Sequence, residues 1–410
     1  MESRGIERNA LTCSVAVQAC ADKNIGGSKG GGGWVSALQL FSALAEGKVE
    51  ANTIVCNVIA ATCETGGAWK RDLGVVKIML QSGLEISAIT CGTLITACEQ
   101  SCRWHATLDV LDRMMLQALR PNLITCNAAI SACEKGEAPD AALELLRVTK
   151  LGMLEPDVVT YNAAISACEK GHMQEAAVGL LREMRSVALE PNAITYNAAI
   201  SACEKGSEWK KALELLASMT QNMLEMDTIT YNAAISACEK GGEWIRALDL
   251  LSGMAVSRVK MSTITCNATI SACSRASEWA RALEILGGMA QGGLRMNTIT
   301  ASAAISACEK AGEWVRALAL LAGMARSGME MNTITCNAAI SACEKGGQWT
   351  KALELLGGMA RHDVELGLVT YNAAVSACES ASKWANALEL LGVMARRALE
   401  MDAITYNAAI

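Results

Sequence analysis

Apolar positions in the stretch 193–227 fall on two helical faces, one after the other. In ITYNAAISACEKG, Tyr196, Ile200 and Cys203 stand at i, i+4 and i+7, one stripe of a helix. In the half that follows, Trp209, Ala212, Leu213, Leu216 and Met219 stand at i, i+3, i+4, i+7 and i+10 and mark a second stripe. The spacing predicts a pair of helices of about 11–14 residues each, with Thr195 as N-cap of the first and Gly206 as its stop. Pro121, Pro156 and Pro191 close three equivalent stretches, where a helix cannot continue. Helices this short are marginal alone in water, so burial against neighbours has to hold them.

The neighbours are copies. Taking the start two residues before the recurring Thr, a place that Val55 fills in one copy, repeats begin at residues 10, 53, 88, 123, 158, 193, 228, 263, 298, 333 and 368, and a truncated one occupies 403–410. From 53 to 403 the step is always 35 residues. The repeat that begins at Ala10 runs 43 residues, because a Gly-rich insertion at 24–33 precedes Trp34. Residues 1–9 are a leader, and the eleven repeats span 10–402. The pattern predicts an all-α fold, an α-α superhelix in which each helix–turn–helix pair buries its face on the next. The chain ends inside a repeat, at ITYNAAI, which suggests part of a longer protein.

Composition adds the compartment and removes several functions. Of the 410 residues 51% are hydrophobic, but no run of apolar residues is long enough to span a membrane, and MESRGIERNA has no apolar signal core. The formal net charge of −6 argues mildly against gripping nucleic acid through bulk charge. Eleven of the 18 Cys fall in the eleventh place of a repeat, six in the fourth, and Cys102 stands apart. That periodicity fits small buried thiols in a reducing compartment. Spacing along and between helices exceeds the reach of a disulfide, and no CxxC pair exists to hold zinc. His105, His172 and His362 sit in different repeats without recurring partners and read as surface or turn residues. GGSKGGGG lacks the ending of a phosphate-binding loop. No catalytic residue, metal site, cofactor or small-molecule substrate is expected.

The unit ITYNAAISACEKGxEWxxALELLxxMxxxxLExD at 35 residues resembles the pentatricopeptide repeat family over nearly the whole chain. The resemblance implies a right-handed solenoid that binds single-stranded RNA at one nucleotide per repeat, the mode in which two or three side chains of each repeat read one base. It implies that base reading falls to the fifth and last places. The fifth place holds Ser14, Asn57, Gly92, Asn127, Asn162, Asn197, Asn232, Asn267, Ser302, Asn337, Asn372 and Asn407. The last holds Asn52, Ser87, Asn122, Asp157, Asn192, Asp227, Ser262, Asn297, Asn332, Gly367 and Asp402. An amide offers donors and an acceptor to a base edge, but Asn at a helix start also bonds its own backbone, and Asn, Asp and Ser also cap turns. The family's pairing rule gives 5′-A-C-A-U-Y-U-C-Y-A-N-U-3′, with Gly92 and Gly367 outside the rule.

Two more columns bear on binding. The second place is aliphatic throughout, as in Ile124, Val159 and Ile194, and either sandwiches bases, as the resemblance implies, or packs in the core. The thirteenth is basic in seven successive repeats: Lys135, Lys170, Lys205, Lys240, Arg275, Lys310 and Lys345. Stacking would line these charges along a groove as phosphate contacts, or leave them paired with the glutamate that usually precedes them. The leading expectation is a sequence-selective RNA binder of chloroplast or mitochondrion, the organelle being implied by the family alone. It would act in stability, processing or translation of a transcript and draw any chemistry from recruited processing proteins. The alternative is a protein-binding helical scaffold.

Overall fold

The computed structural model describes residues 88–361 and 366–397. The leader, the repeats starting at 10 and 53, the Gly-rich insertion, the truncated last repeat and His362 lie outside the described residues. Every described element is an α-helix. The first helices are α1 (Ala88–Gln100), α3 (Leu123–Lys135), α5 (Val158–Lys170), α7 (Ala193–Lys205), α9 (Thr228–Gly241), α11 (Thr263–Arg275), α13 (Thr298–Lys310), α15 (Thr333–Lys345) and α17 (Leu368–Ser380). Alternating with them are the second helices α2 (Trp104–Leu116), α4 (Pro139–Leu151), α6 (Gln174–Ser186), α8 (Trp209–Gln221), α10 (Trp244–Val256), α12 (Trp279–Gln291), α14 (Trp314–Arg326), α16 (Trp349–Arg361) and α18 (Trp384–Arg396). None is long and apolar enough to cross a membrane.

The chain divides into two bodies, residues 1–206 and 207–410. In the first, α1, α3, α5 and α7 stack in succession, and each second helix leans on the first helices before and after it. The second body repeats the arrangement with α9, α11, α13, α15 and α17 as its stacked layer. Small residues allow the close stacking. Ala164, Ile165, Ala167 and Cys168 of α5 are all fully buried, as are their counterparts Ala339, Ile340, Ala342 and Cys343 of α15. The second helices contribute a narrower stripe, such as Ala177, Leu181 and Met184, or Ala317, Leu321 and Met324. Tyr196, Ile200 and Cys203 are buried on one face, as their spacing requires.

The N-cap differs from the sequence expectation by one turn, while the stop at Gly206 holds. The N-cap of α7 is Asn192, the last residue of the repeat before, while Thr195 is the third residue of the helix. Thr195 closes the cap reciprocally, its hydroxyl accepting from the Asn192 amide N–H at 3.1 Å. Gly206 is the C-cap of α7, as expected, with φ −81°. The left-handed residue is one later. The fifteenth place of every described repeat has positive φ, whether it is Gly312, Glu137, His172 or Cys102. The same holds near the end of the second helix, at Ala118, Met153, Ala188, Met223 and Arg258. Gly136 packs closely instead: a Cβ there would come within 2.3 Å of the Trp104 indole, which would have to shift.

Non-glycine residues in the left-handed region carry a steric cost. Ala118, exposed with φ 56°, has no other side-chain interaction to lose. Ala118→Gly is therefore expected to stabilise the protein by about 1 kcal/mol, read as a higher urea midpoint at unchanged slope. The thiols give a second check. Among the described cysteines only Cys102 is exposed, and all are free. Burial pushes the Cys133, Cys168 and Cys343 thiols up to about 11, which withdraws the reactive thiolate. Iodoacetamide at neutral pH should label Cys102 in the native protein and spare Cys133, Cys168 and Cys343 until denaturant is added, as mass spectrometry of the peptides will show.

Candidate nucleic-acid interface

The expected reading residues come together at the N-terminal ends of the first helices. Stacking there is parallel, because helix starts meet helix starts and ends meet ends. At the starts, the Thr160 hydroxyl of α5 lies 2.6 Å from the Asn127 Oδ1 of α3. At the ends, Lys135 of α3 meets Glu99 of α1 at 2.9 Å. The fifth and second places are three apart on one helix and so share a face. The last place caps the next helix and lies beside that helix's second place.

The fifth-place residues Gly92, Asn127, Asn162, Asn197, Asn232, Asn267, Ser302, Asn337 and Asn372 are all half-buried. Four of the amides bond across a repeat boundary rather than to their own backbone. Thr160, Thr195, Thr265 and Thr300 donate to Asn127, Asn162, Asn232 and Asn267 at 2.5–2.6 Å. Ser302 meets Thr335 in the same way at 2.7 Å, while also donating to its own Thr298 carbonyl. The last-place residues Asn122, Asp157, Asn192, Asp227, Ser262, Asn297 and Asn332 each cap a helix by accepting the N–H of its third residue. Gly367 occupies the same capping position with no side chain to do so. Ser14, Asn57, Asn407, Asn52, Ser87 and Asp402 lie outside the described residues.

One repeat shows the joined pair in full. The Asn127 Nδ2 donates to Asp157 Oδ1 at 3.2 Å, and Thr160 N–H donates to the same oxygen at 2.9 Å. Burial raises the Asp157 carboxyl, but the bonds from Thr160, Asn127 and the Val159 amide outweigh it and hold the group below its ordinary value. Asp157 is thus an anion at neutral pH and an acceptor only. This fixes the amide of Asn127: its Nδ2 turns to the carboxylate and its Oδ1 to the threonine hydroxyl. The cap's contribution is present above the unfolded carboxylate range and is lost as pH falls through the lowered folded value. In the next repeat Asn162 Nδ2 reaches Asn192 Oδ1 at 3.4 Å.

The second-place column is solvent-facing. Ile89, Ile124, Val159, Ile194, Ile229, Ile264, Ile299, Ile334 and Val369 are 59–77% exposed, which removes core packing as their explanation. One β-branched apolar side chain per repeat therefore stands beside each polar pair. The basic column sits at the opposite helix ends. Lys170 and Lys205 pair with Glu134 and Glu169 at 3.0 Å, Arg275 with Glu239 at 3.6 Å, and Lys345 with Glu309 at 3.2 Å. The partner is the glutamate of the preceding repeat, not the adjacent one in sequence, because parallel stacking brings the two columns side by side. Lys240 and Lys310 close α9 and α13, both exposed, and Ser274 stands in the glutamate column before Lys310. Half-exposed pairs of this kind contribute little stability, about 0–1 kcal/mol each. No group of three or more His, Cys, Asp or Glu among the described residues could hold a metal.

Sequence reasoning missed the third-place threonine as a bridge between repeats. Its signal was a threonine in every described repeat inside a buried, alanine-rich helix, where neither propensity nor burial favours a hydroxyl.

These features define a helical-repeat protein with one composite polar and apolar cluster per repeat. Family models match along most of the chain: "PPR repeat family" at 156–205 and 191–240, "Pentatricopeptide repeat domain" at 75–135, "Pentatricopeptide repeat-containing protein" at 247–359, and "PPR repeat" at 229–259 and 369–398. The chain belongs to the pentatricopeptide repeat family. No curated protein sequence matches it. Solved structures similar to it include the pentatricopeptide repeat protein PPR10 from maize, 18% identical over 100% of this chain and 72% of that one, with a TM-score of 0.47. PPR10 in complex with an 18-nt psaJ RNA element is 18% identical over 99% and 71% of the two chains, with a TM-score of 0.45. Yeast Rmd9p in complex with 16nt target RNA is 11% identical over 97% and 83%, with a TM-score of 0.35.

Proposed function

We propose that this chain binds single-stranded RNA, each repeat meeting one nucleotide at the N-terminal end of its first helix. The observation that carries the reading is the row of exposed second-place aliphatic side chains, beside polar pairs such as Asn127–Asp157 and Asn162–Asn192 built from a fifth and a last place. Within each body, exposed Ile and Val side chains at a fixed repeat place are a surface that a stack of base faces can cover. Family membership supports the same ligand.

The caps also give the last place a reason to discriminate. One atom of each capping side chain is already committed to the helix. What remains is a second carboxylate oxygen on Asp157 or Asp227, an NH2 group on Asn192 or Asn297, and the hydroxyl proton of Ser262, whose oxygen is the capping atom. A carboxylate oxygen accepts the N3–H of U and repels the N3 lone pair of C. A hydroxyl donates to N3 of C, and an amide NH2 suits either pyrimidine by donating to the O2 carbonyl that both carry. Basic residues serve the phosphates from a parallel track: Lys135 stands eight residues after Asn127, about 12 Å along the helix axis. Pairing with a glutamate leaves the remaining Nζ protons for a second acceptor. The biological setting we assign is organellar: stability, processing or translation of a transcript, with any cleavage done by recruited proteins.

The test is a gel shift with 5′-ACAUUUCUAAU-3′ against a purine-rich scramble at two salt concentrations. Preference for the first RNA, with affinity falling as salt rises, is expected. Equal binding of both with no salt dependence would reject the reading and favour a peptide-binding scaffold.

A further inference from the structure

The buried third-place threonines do not face a ligand, yet they touch the residues that do. Thr160, Thr195, Thr265, Thr300 and Thr335 have 0% relative exposure. Each hydroxyl sits between two reading residues of the repeat before it. Thr160 Oγ1 is 2.6 Å from Asn127 Oδ1 and 2.8 Å from Asp157 Oδ1, and Thr195 Oγ1 is 2.6 Å from Asn162 Oδ1 and 2.9 Å from Asn192 Oδ1. Thr300 bridges Asn267 and Asn297 at 2.5 and 2.7 Å. The hydroxyl's lone pair is occupied as well, since it accepts the backbone N–H of the last-place residue at 3.1 Å in both Asp157 and Asn192.

The chain contains its own broken copy. Where Gly367 replaces the capping side chain, Asn337 Oδ1 and Thr370 Oγ1 are both buried without a hydrogen-bond partner. They are the two unsatisfied buried side-chain atoms among the described residues, and they sit at equivalent places of one junction. Buried polar atoms are nearly always paired, so the junction is defective in a specific way. Space is not the obstacle. Gly367 has the extended backbone of the other caps, φ −92° and ψ 175°, and a Cβ there would meet nothing within 4 Å.

We infer that the third-place threonine is a positioning residue for base reading in the preceding repeat, so that each reading site is assembled across a repeat boundary and requires fifth place, last place and next threonine together. The inference rests on the RNA-binding reading above. The threonine holds the fifth-place amide with its oxygen inward and its NH2 outward, and holds the last-place side chain with one atom inward. Without its hydroxyl the fifth-place amide turns, and donor and acceptor exchange places in front of the base, while the backbone N–H still caps through the last place. The Asn337 site lacks its brace and reads no base.

The experiment uses the full chain and RNAs that differ at one nucleotide. Wild type is expected to prefer U over C at the fourth nucleotide, facing Asn127 and Asp157, and C over U at the seventh, facing Asn232 and Ser262. Thr160→Val should cut the fourth-nucleotide preference by about tenfold and leave the seventh unchanged. Thr160→Ser, which keeps the hydroxyl, should restore it. A purely structural role would lower affinity for all the RNAs alike and leave the ratio in place. The sequence itself carries Val55 in this column. Should Thr160→Val unfold, Gly367→Asp supplies the opposite test: it should gain a U preference at the tenth nucleotide, and lose that gain when Thr370→Val is added. An undiminished ratio in Thr160→Val, or a gain in Gly367→Asp that survives Thr370→Val, overturns the inference. A wild type that discriminates at no position overturns the base-reading proposal itself and this inference with it.

Discussion

Replacing Ile264, Ile299 and Ile334 together by serine is expected to weaken RNA binding by about a hundredfold and to leave the melting temperature within a degree or two. The three side chains are 66–69% exposed, so the folded state loses little packing when they go. Serine and isoleucine have similar helix propensities, so the backbone is also indifferent. The cost falls on the complex. Each side chain covers a base face with apolar surface worth about 1 kcal/mol, and three add to about 3 kcal/mol, two decades in Kd. Filter binding beside a thermal melt separates the two quantities. Unchanged affinity would mean that this row of side chains lies away from the RNA. A fall in melting temperature of ten degrees would mean that the row is part of the core.

The same residue type six places on should behave in the opposite way. Ile165, in the eighth place, is fully buried between neighbouring first helices. Ile165→Ala leaves a cavity in a helix layer rich in buried alanine, whose small side chains cannot collapse to fill it. A loss of about 3 kcal/mol is expected in urea denaturation, within the usual range for such truncations. In a stacked array the repeat interfaces carry the stability, so the damage also loosens the repeats on either side. A change under about 0.5 kcal/mol would contradict the packing described here.

The paired isoleucines also mark how far the sequence could be read. Period, helix pairs and the buried stripe of Tyr196, Ile200 and Cys203 follow from spacing alone, because 3.6 residues per turn leaves little choice. Spacing could not say whether Ile194 packs or faces solvent. A first helix in this fold is buried on two sides, so its wheel is apolar nearly all round and the one exposed aliphatic row does not stand out. The N-cap was misplaced by one turn because Thr195 is a good N-cap by type, and the competing Asn192 belongs by sequence to the previous repeat. The lysine partners were invisible for a related reason: Glu134 precedes Lys135 in the chain, but stacking hands Glu134 to Lys170. Left-handed positions at Glu137, Met153 and Arg258 carry no glycine to announce them. What the sequence lacked in each case is the neighbour across the repeat boundary.

That boundary is also where the functional account is most exposed to test. A photo-crosslinking side chain placed in turn at Ile124, Val159 and Ile194 samples the second place of three successive repeats. Bound to one defined RNA, the crosslink should fall on a single nucleotide each time and move by one nucleotide toward the 3′ end for each 35 residues moved along the chain. Crosslinks that stay at one nucleotide, scatter along the strand or fail to form would contradict a repeat-by-repeat alignment of protein and RNA.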